Sequence, residues 1–381
     1  MLMRIALTLL AAMAAWGQTE TAFEGRPALA IGNDRLELLL LPQGGAFASL
    51  VLRSDKERTN PMWNPLRLAR QAGRPVDAIT STGHFVCVDG FGPTSAEERA
   101  AGLLGHGEAH RQPWKLVSGD RKGKKQSYVF SAALPVVQEV FTRRLELIDG
   151  EEVVYVDSEL ESLLGFDRPV NWAEHATIGP PFLVPERTVV DASAGRCMTR
   201  PELDKSPQVP RRIVPGKDFT WPMAPATGGG TADLRSMTAG HNSMDHSGCT
   251  VDPRQRLAWV TALNLDKRLL LGYVWRREEF PWIQKWMNYP PDERTAWGLE
   301  FGTQPFDVPR RETVDLGKLF DVPAFRWLPA KSKIGARYMM FYTQVPEGFA
   351  RVDEVIYTDG KVTLFDRKNG KRVDLAAAGG V

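Results

Sequence analysis

Val137-Gln-Glu-Val-Phe-Thr-Arg-Arg-Leu-Glu-Leu-Ile-Asp-Gly-Glu-Glu-Val-Val-Tyr-Val-Asp-Ser-Glu-Leu160 is the stretch whose reading decides the fold. Val137 to Leu147 carries a strand signal that runs into a turn whose chemistry fixes a hairpin. Asp149-Gly150 then supplies the positive φ angles of a type I′ turn, and the chain returns through Val153 to Leu160. The same grammar recurs. Val355 to Tyr357 turns at Asp359-Gly360 into Val362 to Phe365, and that strand turns again at Asn369-Gly370. Further strands are expected at Arg35 to Leu41, Ala46 to Leu52, Leu257 to Asn264 and Leu269 to Arg276, the last two joined by Asp266-Lys267. Helical signal is confined to Ser95-Ala-Glu-Glu98, a capping box that starts a helix running at most to Leu104. Strands do not alternate with helices, and no fixed-period repeat occurs. The expected class is therefore all-β, a large antiparallel β-sandwich with very little helix.

At the beginning of the chain, Arg4 is followed by the apolar run Ile5 to Ala15 and then by small residues leading to Gln18. This is the pattern of a cleavable signal peptide over residues 1–17, which implies a secreted or periplasmic protein with one domain over residues 18–381. The run is shorter than the roughly 20 residues needed to span a bilayer, so no membrane span is expected. Lys and Arg total 48 against 46 Asp and Glu, interspersed without a basic block, which argues against a nucleic-acid partner. Cys87, Cys197 and Cys249 allow at most one internal disulfide. The segment from Pro201 to Cys249, rich in Pro, Gly, Ser and Asp, reads as a functional loop or an insertion. His241, Asp245 and His246 within it read as an exposed polar cluster.

The G-x-S-x-G elbow, the Walker loop and H-E-x-x-H are all missing. Three segments dense in His, Glu and Trp remain: Gly105 to Trp114, Asn171 to Gly179 and Trp297 to Phe306. In this order they resemble the aldose 1-epimerase (galactose mutarotase-like) family. His106-Gly107 followed by Trp114 resembles its His-Gly signature, His175 matches its second histidine, and Leu299-Glu300 with Gln304-Pro305-Phe306 resembles its late Glu motif. Around the second histidine, Glu174-His175-Ala-Thr-Ile-Gly stands in place of the usual Asn-His-x-Tyr-Phe-Asn.

The resemblance implies a mutarotase-like supersandwich and a carbohydrate partner, an aldose or a glycan terminus. Anomer interconversion needs a base for the anomeric hydroxyl and an acid for the ring oxygen, so no cofactor and no metal are required. By resemblance Glu300 is the base, His175 the acid, and His106 a hydrogen-bond partner of the ring oxygen or a neighbouring hydroxyl. The carboxylate of Glu300 sits in an otherwise apolar stretch, Trp297 to Phe301, where it is costly unless paired or used.

On a strand Asn171 shares a face with His175, which makes it a groove residue and leaves Glu174 on the other face as a structural hydrogen-bonder. Trp282, Trp286 and Trp297 are candidates for a sugar platform, although most of eleven tryptophans must pack internally. Gln304 and Arg111 complete the candidate substrate contacts. A solvated surface is the simpler reading of His110 and Arg111, and a metal site built from His106, Glu108 and His110 lacks a firm ligand from elsewhere. Two other functions fit the same pattern: a non-catalytic carbohydrate-binding protein on this fold, and a polysaccharide hydrolase or lyase.

Overall fold

The computed structural model describes residues 18–201, 210–238, 240, 242–290 and 294–381. The expected leader, His241 and part of the 201–249 segment lie outside these residues. The chain is 51% strand and 6% helix, arranged mainly as two large antiparallel sheets, one of 14 strands and one of 8. The hairpin read first from the sequence forms as Glu139–Ile148 and Val153–Ser162 in the smaller sheet. Leu257–Asn264 and Leu269–Arg276 form as expected beside it.

The main core lies between the two sheets. From the smaller sheet Phe141, Val156, Tyr273 and Tyr338 point into it, and from the larger sheet Leu38, Trp172, Ile283 and Phe301. The smaller sheet is also covered behind. Glu354–Thr358, Lys361–Asp366 and Lys371–Ala376 make a three-stranded sheet whose Val362, Leu364 and Leu375 pack with Leu270, Val274, Met339 and Phe341 in a second cluster. Burial on both faces explains why the strand Lys333–Gln344 carries the unbroken apolar run Tyr338 to Tyr342 instead of alternating.

The Ser95 capping box forms as read, over the helix Ala96–Ala100. Two other short helices, Pro65–Gln71 and Arg310–Leu316, were not expected. Asn64 caps the first and Pro65 opens it, a start signal on a helix too short to show a period. The segment 201–249 is also not a plain loop. Asp218–Thr220, Met223–Pro225 and Thr231–Asp233 extend the edge of the larger sheet, and Ser243–Val251 is one of its inner strands. Cys197 and Cys249 are joined in a disulfide across neighbouring strands, and Cys87 is free and buried.

Candidate active site

Six strands of the larger sheet lie in the order His84–Val88, Trp172–Ile178, the pair Ala296–Gly298 and Glu300–Gly302, Trp282–Tyr289, and Ser243–Val251. Their register lines up one row of side chains. Phe85 pairs with His175, and Gln284 pairs with Glu300. Pairing of Thr177 with Gly298 and of Ala173 with Gly302 sets His175 opposite Glu300. In the next row His246 pairs with Trp286. A cleft of about 240 Å3 opens over these rows, lined by Trp63, Phe85, Phe91, His106, His175, His246, Trp286, Glu300 and Asp307, with Ser81 at its side.

His175 Nε2 lies 3.0 Å from Glu300 Oε1, and its Nδ1 is 2.8 Å from the Thr177 hydroxyl. That hydroxyl donates to the His175 carbonyl at 3.5 Å, so it accepts the Nδ1 proton and turns Nε2 toward the carboxylate. The ring also stacks on Phe85 at 4.2 Å, which fixes its plane. The 3.0 Å approach is off the line of a hydrogen bond, and neither oxygen of Glu300 has an aligned donor. Burial, and then the nearby Asp307, push the Glu300 carboxyl well above its usual range. Burial, followed by His106, pushes His175 well below the imidazole range.

Gly298 gives the carboxylate its room, because a Cβ there would lie 2.4 Å from Glu300 Oε1. His106 reaches the cleft from a tight turn. It has φ 64°, and Gly107 follows with φ 73° against the Val88 carbonyl, which a Cβ would meet at 1.9 Å. That close approach is why the His-Gly pair ends in glycine. The Gly92 amide donates to His106 Nδ1 at 3.2 Å, which leaves Nε2–H as the donor toward the cleft. Burial holds His106 down at about 4, against an opposing pull from Asp307.

No family model matches the chain, and no curated protein matches it in sequence. Solved structures do. A protein of Klebsiella pneumoniae described as a candidate aldose 1-epimerase superposes with a TM-score of 0.59 at 12% identity, over 85% of this chain and 82% of the other. A galactose mutarotase-like protein of Clostridium acetobutylicum gives 0.56 at 13% identity, over 86% of this chain and 98% of the other. A TPR-domain containing protein of Parabacteroides distasonis gives 0.56 at 11% identity, over 91% of this chain and 51% of the other. The chain has the galactose mutarotase-like fold.

On this mutarotase-like frame Glu300, His175, His106 and Trp286 meet in the cleft. The other residues expected there are elsewhere. The indole of Trp282 donates to the Pro323 carbonyl at 2.7 Å, and Trp297 faces the main core with its ring edge-on to Tyr289. Both sit on buried strands whose apolar side chains are consumed by packing. The Asn171 Oδ1 accepts from Thr313 at 3.0 Å, and the Gln304 Oε1 accepts from Thr303 at 2.7 Å. Arg111 is half-buried outside the cleft lining.

His110 is not solvated. It is buried against Phe85, and burial pushes its imidazole well below the usual range. Glu108 accepts the amides of Val136 and Val137, so the triplet His106, Glu108 and His110 does not converge.

Six lining residues were missed by sequence reasoning: Ser81, Phe85, Phe91, Trp63, Asp307 and His246. Trp63 comes from a Pro-rich connection fixed by its amide, which donates to the Thr177 carbonyl at 2.9 Å. Asp307 follows Pro305-Phe306 on a turn tied down by Gln284, which donates to the Gln304 carbonyl. His246, read as an exposed loop residue, is 3% exposed on an inner strand, and burial holds its imidazole down at about 4. Asp245, on the opposite face of that strand, is buried and accepts the amide of Arg212 at 3.0 Å.

Proposed function

We propose that this protein is an aldose 1-epimerase-like isomerase that binds a carbohydrate and interconverts its anomers. The observation that carries this reading is the 3.0 Å approach of His175 Nε2 to Glu300 Oε1 in a cleft that also holds His106 and Trp286. In the reactive form the Glu300 proton has passed to His175 Nε2 across the 3.0 Å contact, against the burial that favours the neutral pair; the carboxylate then takes the proton of the anomeric hydroxyl while the imidazolium gives its Nε2 proton to the ring oxygen. The C1–O5 bond breaks, C1 becomes a carbonyl, and Glu300 and His175 are left neutral. Rotation about C1–C2 presents the other face of the carbonyl. On reclosure His175 recovers the proton from O5 and Glu300 returns its proton to O1. The Nε2–H of His106 is available to a sugar oxygen, and half-buried Trp63 and Trp286 offer flat apolar faces to the C–H side of a pyranose.

Support for export comes from the apolar leader and from the Cys197–Cys249 disulfide, which persists in an oxidising compartment. The test is the rate of anomer interconversion, followed by NMR on freshly dissolved single-anomer aldoses. Acceleration by the wild type that is lost in both Glu300→Gln and His175→Ala is the expected result. An uncatalysed rate with the wild type across the panel removes the reading.

A further inference from the structure

Glu300 has to be ionised to act as a base, yet its surroundings favour the acid form. The groups facing it come from four directions. His175 stands on the strand to one side, and Lys285 on the strand to the other with its side chain toward the opposite face of the sheet. His246 lies one strand further on, with Nε2 3.9 Å from Glu300 Oε2. Asp307 comes from the turn above, with Oδ1 3.6 Å from the same His246 nitrogen, and its Oδ2 accepts from Arg200 Nη1 at 2.7 Å. His246 Nε2 therefore lies between two carboxylates, one tied to an arginine and one without a donor. Both approaches exceed hydrogen-bond length, and neither ring nitrogen of His246 has a hydrogen-bond partner among the described residues.

We infer that His246, held between Glu300 and the Asp307–Arg200 pair, is a positioning residue that keeps the Glu300 carboxylate able to accept the anomeric proton. This rests on Glu300 being the base. A neutral imidazole has one N–H in total, and the two carboxylates beside Nε2, with no acceptor at Nδ1, favour its being carried on Nε2. Directed at Glu300 Oε2 it stabilises the carboxylate, whereas directed at Asp307 it leaves Glu300 to burial and to repulsion by Asp307. The Arg200 contact weakens the claim of Asp307 on that proton and so favours Glu300. Sequence spacing gives no hint of this set, which is drawn from three separate segments.

The deciding experiment titrates the Glu300 carboxyl directly, by NMR of 13C-labelled glutamate in the full chain, with the resonance assigned from its loss in Glu300→Gln. In His246→Ala the titration midpoint should rise by about one pH unit, a tenfold change in proton affinity. His246→Gln, which restores an N–H, should bring it back. Asp307→Asn should move the midpoint the other way, because it removes a negative neighbour and frees the His246 proton. If the midpoint is unchanged in His246→Ala, or shifts in the same direction in the Ala and Asp307→Asn variants, the inference is overturned. The acid limb of kcat/KM for single-anomer aldoses should follow these midpoints. If the wild type shows no turnover while the midpoints move as stated, the proposed activity fails and the role of His246 stands.

Discussion

Two glutamates on neighbouring strands, equally buried, have opposite chemistry. Glu174 and Glu300 are 0% and 1% exposed, and Glu174 pairs with Phe301, the residue next to Glu300. The pleat sends Glu174 into the main core and Glu300 into the cleft. Glu174 accepts from Arg143 at 2.5 Å, Trp172 at 3.2 Å and Tyr338 at 3.2 Å, and its other contact is His84 at 2.9 Å. Burial alone would raise its carboxyl, but Arg143 and these hydrogen bonds outweigh burial and lower it. Glu300 has no aligned donor and is raised. A carboxylate with every lone pair occupied holds the fold together, and one left open is free to exchange a proton.

The comparison can be broken most sharply by the same substitution at both positions. Glu300→Gln should reduce anomer interconversion roughly a thousandfold while leaving the unfolding free energy at neutral pH equal or higher. The sign follows from linkage. A carboxyl raised on folding loses stability as the pH climbs above the unfolded value of about 4.3, so removing it relieves that loss. Glu174→Gln should instead cost about 3–5 kcal/mol, because the guanidinium of Arg143 is left buried without its counter-charge. Denaturant melts at several pH values check both. Comparable destabilisation by the two variants would erase the distinction.

A smaller effect sharpens the role of the cleft histidines. The imidazole of His246, held at about 4 against 6.5 when free, stays neutral while the unfolded chain takes up a proton. Wild-type stability should therefore fall as the pH drops from 6.5 to 4, with His246 responsible for roughly 3 kcal/mol of the loss. His246→Gln should flatten that part of the thermal-stability profile, and an unaltered slope would show that the ring is solvated. The smallest effect is expected at Gly298→Ala. A methyl 2.4 Å from Glu300 Oε1 must displace the carboxylate, with a predicted loss of about 10–100-fold in kcat and little change in melting temperature.

What could be read from the sequence was governed by local rules. Hairpins announced by Asp-Gly and Asn-Gly, and the box at Ser95, depend on a few adjacent residues, and they formed where expected. Glu300 stood out because a charge inside Trp297 to Phe301 has no local excuse. His246 lies in Ser243-Met-Asp-His-Ser-Gly-Cys249, whose small and polar residues spell a loop. They form a strand because both neighbours in the sheet supply partners, a preference set by tertiary context. The tryptophans misled for a related reason. In sequence Trp282 and Trp297 are candidates for a sugar platform beside the expectation that most tryptophans pack internally, and here the sheet turns Trp297 inward and a carbonyl takes the indole N–H of Trp282. Trp63 had no periodicity to betray it.

The cleft draws Trp63, His106, His175, His246 and Glu300 from widely separated parts of the chain, and the row through His175 and Glu300 exists only once their two strands, far apart in sequence, have paired in the larger sheet. Its contacts join residues far apart in sequence, whose loop-closure entropy makes them slower to form than the local hairpins. A nascent or truncated chain that has made every hairpin would still lack the paired acid and base. Turnover would therefore report completed folding more stringently than circular dichroism, which sees the strands and not their register.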